Sequence, residues 1–170
     1  MMKTKTLAIL LFCALPVFSQ NTRKQERLAR RAADFLVMKE QAAGRNFEFV
    51  ADQALPSGGS SVDLFSNPNH VTFRGDSVFC DLPFFGRAYQ VDFRFQGGFH
   101  LAGIPNEYTV TEKGKSIRIH FRMKDEFDNY SFNLTLTGPE SATLTVSSNH
   151  RSTISYWGTI RKNESENAKP

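Results

Sequence analysis

Between Ile117 and Thr137 apolar and polar residues alternate with a period of two. Ile117, Ile119, Phe121 and Met123 alternate with Arg118, His120 and Arg122; after the run DEFDN, Tyr130, Phe132, Leu134 and Leu136 alternate with Ser131, Asn133, Thr135 and Thr137. Successive side chains of a strand point to opposite faces, so the pattern predicts two neighbouring antiparallel strands, buried on one face and wet on the other. Shorter stretches of the same kind lie at Asn46 to Ala51, Val71 to Arg74, Ser77 to Leu82, Phe99 to Ile104, Tyr108 to Thr111, Ala142 to Val146 and Ser152 to Ile160. In the last of these Ile154, Tyr156, Gly158 and Ile160 share a face, and in Ser77 to Leu82 so do Val78, Cys80 and Leu82. Gly75-Asp76 has the composition of a two-residue hairpin turn.

Upstream the period changes. Asn21 to Ala43 reads as an amphipathic helix, with Thr22 and Gln25 spaced as a capping box and Gly44 as a stop. Leu28, Ala32, Phe35, Leu36, Ala42 and Ala43 fall in one stripe expected to pack on the sheet, while Arg23, Arg27 and Arg30 lie on another side. That basic side reads as a solvated face, with contact to anionic lipid or lipopolysaccharide as the alternative. One helix followed by strands at meander spacing predicts a mainly β (α+β) fold: an N-terminal amphipathic helix packed on an antiparallel sheet of about 8–10 strands that curls into a sandwich or small barrel.

The segment DLPFFGRAYQVDFRF, from Asp81 to Phe95, joins two strand patterns through a corner. Pro83 offers no backbone donor and Gly86 tolerates backbone conformations that other residues resist, so the chain is expected to bend between Leu82 and Ala88. Adjacent residues of an extended segment face opposite ways, so Phe84 and Phe85 are expected to part, one inward and one outward. Beyond the bend Val91, Phe93 and Phe95 alternate with Gln90, Asp92 and Arg94 as a further half-buried strand.

Composition adds the compartment. Lys3 and Lys5 precede an apolar run from Leu7 to Phe18, and small Ser19 follows, the pattern of a cleaved signal peptide over residues 1–19. The run is shorter than the roughly 18 to 20 residues a transmembrane helix needs, and no later stretch is longer. Bulky Phe12 before Cys13 argues against a lipid anchor. Residues 20–160 then form a single exported domain, periplasmic or secreted, and the polar residues 161–170 a disordered tail. Of the 170 residues, 21 are Lys or Arg and 17 Asp or Glu. Loss of two lysines with the leader lowers the formal charge from +4 to +2, too small to imply nucleic acid. Cys80 is left as the one cysteine, so no intramolecular disulfide forms, and at this position it reads as a small buried hydrophobe.

Candidate chemistry is sparse. No G-x-S-x-G, H-E-x-x-H or phosphate-loop motif occurs, and His70, His100, His120 and His150 are not spaced as metal ligands on one element, so no catalytic residue, metal or cofactor is assigned. Ser147, Ser148 and Ser152 near His150 read as turn and strand-edge residues. Two surfaces are candidates for binding. In the first, Arg118, His120 and Arg122 lie beside Ser131, Asn133 and Thr135, a polar strand face suited to an anionic or sugar-like ligand. The second is the corner with the last strand: Phe84, Phe85, Arg87, Tyr89, Arg151, Tyr156 and Trp157, residue types enriched at binding hot spots.

The segments PSGGSSVDL, GDSVFCDLPFFGRAY and SSNHRSTISYWGTI together resemble a family of exported bacterial domains of unknown function, over about Phe47 to Ile160. The resemblance implies one compact domain in the envelope of a Gram-negative bacterium and carries no catalytic residue with it. The expected function is therefore a non-enzymatic exported domain that binds a small apolar or amphipathic ligand or an envelope protein. A hydrolase acting on envelope material and a purely structural envelope protein are the alternatives.

Overall fold

The computed structural model describes residues 15–89 and 97–163, with side chains in the helix from Arg23 onward. Residues 1–14 of the expected leader, the expected strand around Val91, Phe93 and Phe95, and the tail from residue 164 lie outside the described residues. Among the described residues one helix, α1 (Leu15–Gly44), precedes ten strands: β1 (Asn46–Pro56), β2 (Val62–Asp63), β3 (His70–Arg74), β4 (Ser77–Pro83), β5 (Gly98–Gly103), β6 (Glu107–Lys113), β7 (Ser116–Lys124), β8 (Asn129–Leu136), β9 (Ser141–Ser148) and β10 (Ile154–Lys162).

Nine strands form a single antiparallel sheet in the order β5-β4-β3-β1-β10-β9-β8-β7-β6, and β2 pairs with β1 beyond β3. Over the described residues the sheet curls into a half-barrel. The chain leaves β1 by a meander to β5, restarts at β6 on the far end, and meanders back until β10 pairs with β1. The alternation predicted for β7 and β8 sets their register, Arg118 opposite Thr135, His120 opposite Asn133 and Arg122 opposite Ser131.

The concave face is the core. Ile117, Ile119, Phe121, Phe132, Leu134 and Leu136 are fully buried, as are Phe47, Phe49 and Tyr156. The rings of Phe47 and Phe73 stack at 4.4 Å and those of Phe121 and Phe132 at 4.6 Å. Offset ring stacks of this kind add to the area term, which for each buried phenylalanine is roughly 1.5–3 kcal/mol. Cys80 is buried among them, and burial raises its thiol pKa far above the ordinary value.

The helix departs from its sequence pattern in two ways. It begins at Leu15, so Thr22 and Gln25 lie within it and do not cap its start. Its buried stripe is Met38 and Ala42 with half-buried Phe35, whereas Leu28, Ala32, Leu36 and Ala43 are exposed. The reason is reach: α1 touches β1 and β7, four places apart in the sheet, so its C-terminal half crosses the hollow while residues 23–33 overhang it. The left-handed residue after the helix is Arg45, at φ 46°, rather than Gly44. Three contacts hold Arg45: Gly75 N–H donates to its carbonyl (2.9 Å), Asp76 pairs with its guanidinium (3.0 Å), and that guanidinium lies 3.9 Å from the Tyr108 ring centre. Tyr108 in turn donates its hydroxyl to the Ala42 carbonyl, joining the helix end to β6.

At the other end of the chain the polar tail starts later than expected. Arg161 and Lys162 belong to β10 and pair with Glu48 and Phe47. Ladder hydrogen bonds use the backbone, so a polar sequence extends a strand wherever a partner strand is present.

Candidate functional site

The corner and the segment before β10 meet. Tyr89 N–H donates to the His150 carbonyl (2.8 Å), Ser152 N–H to the Arg87 carbonyl (2.9 Å), and Arg87 N–H to Ser152 Oγ (3.0 Å), around a bridge between Ala88 and Arg151. Gly86 fits because a Cβ there would collide with Ser152 Oγ and the Phe84 ring. Further along, Gly158 faces the bulge of β1, where a Cβ would collide with Val50 O and Ala51 Cα.

Arg151 is the centre of this junction. Its guanidinium donates to the Gly98 carbonyl (2.7 Å) and lies 5.1 to 5.8 Å from the ring centres of Phe99, Phe84 and Tyr130. Ser148 Oγ accepts its backbone N–H at 3.1 Å, the turn role expected for that serine. Tyr130 donates its hydroxyl to Asp125 Oδ2 and Tyr156 donates its hydroxyl to the Pro83 carbonyl (2.7 Å). Burial pushes both phenols well above the ordinary value of 10, assisted at Tyr130 by its bond to Asp125 and opposed at both by the charge of Arg151. Nearby, buried Asp128 accepts from the backbone N–H of Asn129 and Asn149 through Oδ1, and His150 Nδ1 stands 3.8 Å from the same oxygen. These contacts tie the β4–β5 end of the half-barrel across the hollow to β8, β10 and the turn between β9 and β10.

The second candidate set therefore divides. Phe84, Arg151 and Tyr156 build the junction, while Phe85, Arg87 and Tyr89 are displayed at its rim, with Phe84 8% exposed against 40% for Phe85. Trp157 is apart from all of them, 53% exposed on the convex face between Gln53 and Thr143.

The first candidate set stays together. Arg118, His120 and Arg122 run along the convex face of β7 beside Thr135, Asn133 and Ser131 of β8, and His120 Nδ1 is 3.2 Å from Asn133 Oδ1. Where this face meets the strand ends there is an open cleft of about 530 Å³. Its walls carry Asn106, Asn129, Asn149, Ser131, Ser147 and Ser148, and Arg122 lies in it 3.4 Å from Glu107. Met123 and Tyr130 also line it. Of these, sequence reasoning had singled out Arg122 and Ser131 as ligand contacts; Asn106, Glu107, Asn129 and Asn149 come from three separate turns and strand ends, and no local spacing links them.

Pairing also aligns groups that are scattered in sequence. His70 and His100 flank Asp81 on adjacent strands, and His100 Nδ1 is 2.7 Å from Asp81 Oδ1. Among the described residues no three His, Cys, Asp or Glu side chains converge in a way that could hold a metal ion, and no helix is long and apolar enough to cross a membrane.

These features define a class: a helix-capped antiparallel half-barrel whose β4–β5 end is joined across the hollow to β8–β10 by an arginine–aromatic junction, with a polar cleft beside it. Residues 29–160 match the model of a family described as Domain of unknown function (DUF4251), and the chain belongs to that family. The fold is similar to that in the crystal structure of a DUF4251 family protein from Bacteroides eggerthii DSM 20697, with a TM-score of 0.55 and 20% identity over 78% of this chain and 91% of that one. Comparison with curated proteins gives no match.

Proposed function

We propose that this chain is a non-catalytic exported accessory domain that binds a neutral, hydroxyl-rich ligand of the sugar type in the cleft beside β6 to β9. The composition of the cleft carries the reading. Asparagine amides offer paired donors and acceptors and serine hydroxyls offer both in one group, which is the complement of a polyol. Among the described residues of the wall Arg122 is the one cation, and Glu107 stands beside it, so these residues present no net positive charge to an anion. A cleft of about 530 Å³ is in the range that encloses a ligand of a few rings. The leader pattern at residues 1–19 supports placement in the periplasm or outside the cell.

Native mass spectrometry on protein purified from its own envelope, beside the same protein refolded from denaturant, tests the proposal. The expected result is a mass excess of sugar composition in the first sample alone, lost in the Ser131→Ala, Asn149→Ala double variant. Equal masses, together with no NMR shift at the cleft when cell-wall oligosaccharides are added, overturn it.

A further inference from the structure

We infer that the overhanging half of α1 is an electrostatic arm that docks on an anionic phospholipid surface. Over residues 23–33 Arg23, Lys24, Arg27, Arg30 and Arg31 stand against a single acid, Glu26. From residue 34 to the end the chain has fourteen basic and sixteen acidic residues, so a positive arm projects from a slightly negative body. All side chains from Arg23 to Ala33 are exposed.

At about 100° per residue the five basic side chains occupy one third of the helix circumference. Lys24 and Arg31 lie in the sector that Phe35, Met38 and Ala42 occupy further along, where they pack on the core, and Arg27, Arg23 and Arg30 extend it to one side. The face that holds the helix to the sheet thus turns basic where the sheet ends.

Local energetics oppose this arrangement. Arg27 stands at three- or four-residue spacing from Arg23, Lys24, Arg30 and Arg31, like-charge pairs that destabilise a helix, while Glu26 and Asp34 offset only the charges of Arg23, Arg30 and Arg31. A helical overhang of this length is marginal when no tertiary contact supports it. A surface of phosphate groups offsets both costs, because it neutralises the repelling guanidinium groups and orders the turn that carries them. The opposite side of the arm carries Ala29, Ala32, Ala33 and Leu36, too little apolar surface for insertion, so attachment is peripheral and sensitive to salt. The negative body favours an orientation with the arm toward the lipid and the cleft away from it. The inference is independent of the cleft and its ligand.

Co-sedimentation with vesicles tests it, using protein expressed from the full reading frame and purified as the cells process it. Binding is expected to vesicles containing phosphatidylglycerol, at least about tenfold weaker to phosphatidylcholine alone, and to fall about tenfold or more between low and physiological salt. The triple variant Arg27→Glu, Arg30→Glu, Arg31→Glu is expected to lose binding with its melting temperature retained. The control Lys113→Glu, Lys124→Glu, Lys162→Glu, with the same change in net charge on exposed body positions, is expected to keep it. Absence of binding to anionic vesicles, equal binding to both compositions, or equal loss in the two triples overturns the inference. So does self-association that the arm variant abolishes while vesicle binding is absent, since that assigns the arm to a second copy.

Discussion

The Phe84–Tyr89 corner and the cleft face of β7 to β9 are made of residues with opposite reputations, and the structure uses them in the reverse sense. Arginine and large aromatics dominate binding hot spots, yet Phe84, Arg151 and Tyr156 are turned inward to hold distant strands of one sheet together. Serine and asparagine are ordinary surface residues, yet they line the open cleft. The difference lies in what each place requires. The edge strand β5 and the interior strand β8 are not neighbours in the sheet and share no ladder bonds, so a group with five donors and a flat face bridges them across the hollow. The cleft lies beside strands already paired, and its side chains are free of that task.

The sharpest way to break the comparison is within the pair Phe84 and Phe85. Phe84→Ala empties a place between Phe99 and Arg151 and is expected to cost about 3–5 kcal/mol. Phe85→Ala, at the rim, is expected to change stability by no more than about 0.5 kcal/mol. For a chain of this size about 1 kcal/mol moves the melting temperature by roughly 2–4 °C, so the two variants separate clearly in a thermal scan. Equal shifts would show that the corner is not a junction.

A second contrast sets Arg151 against Arg122. Arg151→Met keeps the length of the side chain but removes a charged hydrogen bond and its contacts with three rings, an expected loss of about 2 kcal/mol. Arg122→Met breaks only an exposed pair with Glu107 and is expected to cost less than about 0.5 kcal/mol. Urea midpoints measure both. A larger loss at Arg122 would make the cleft face part of the scaffold.

Much of the scaffold was legible. The period of two in β7 and β8 determines both their faces and their pairing, and the same logic places Cys80 inside and separates Phe84 from Phe85. Three features were not. Local periodicity says which face of a strand is buried but not which strand lies beside it, so the pairing of β1 with β10, across nearly the whole chain, is invisible until the sheet forms. The helix stripe was misplaced because a hydrophobic pattern assumes a partner along the full length, and α1 has one only from about Phe35 onward. The cleft was missed for the first of these reasons: Asn106, Asn129 and Asn149 have neutral, common side chains, and only the β6 to β9 meander brings them together.

The junction also has a pH signature, smaller than either substitution contrast and shared with other buried acids of the core. Tyr130 and Tyr156 hold their protons above the ordinary value of 10, and burial pushes Tyr108 up to about 12 against the lowering effect of Arg45. In the unfolded chain these phenols ionise near 10, so above that pH the native state binds more protons than the unfolded one. The sign follows: the stabilisation is complete below pH 10 and is lost as pH rises through 12 and beyond. Buried Cys80 acts in the same direction from its own ordinary value of 9.0. Urea midpoints at about pH 8 and about pH 11 should therefore fall with alkalinity. Tyr156→Phe leaves the Pro83 carbonyl without its donor and is expected to cost about 1 kcal/mol at the lower pH. Because it also removes one phenol that resists ionisation, it should shrink the alkaline fall, so the gap between variant and parent narrows at the higher pH. A gap that widens instead would mean that the Tyr156 hydroxyl is not held in the junction, and the corner would lose the side-chain hydrogen bond that binds it to the last strand through Pro83.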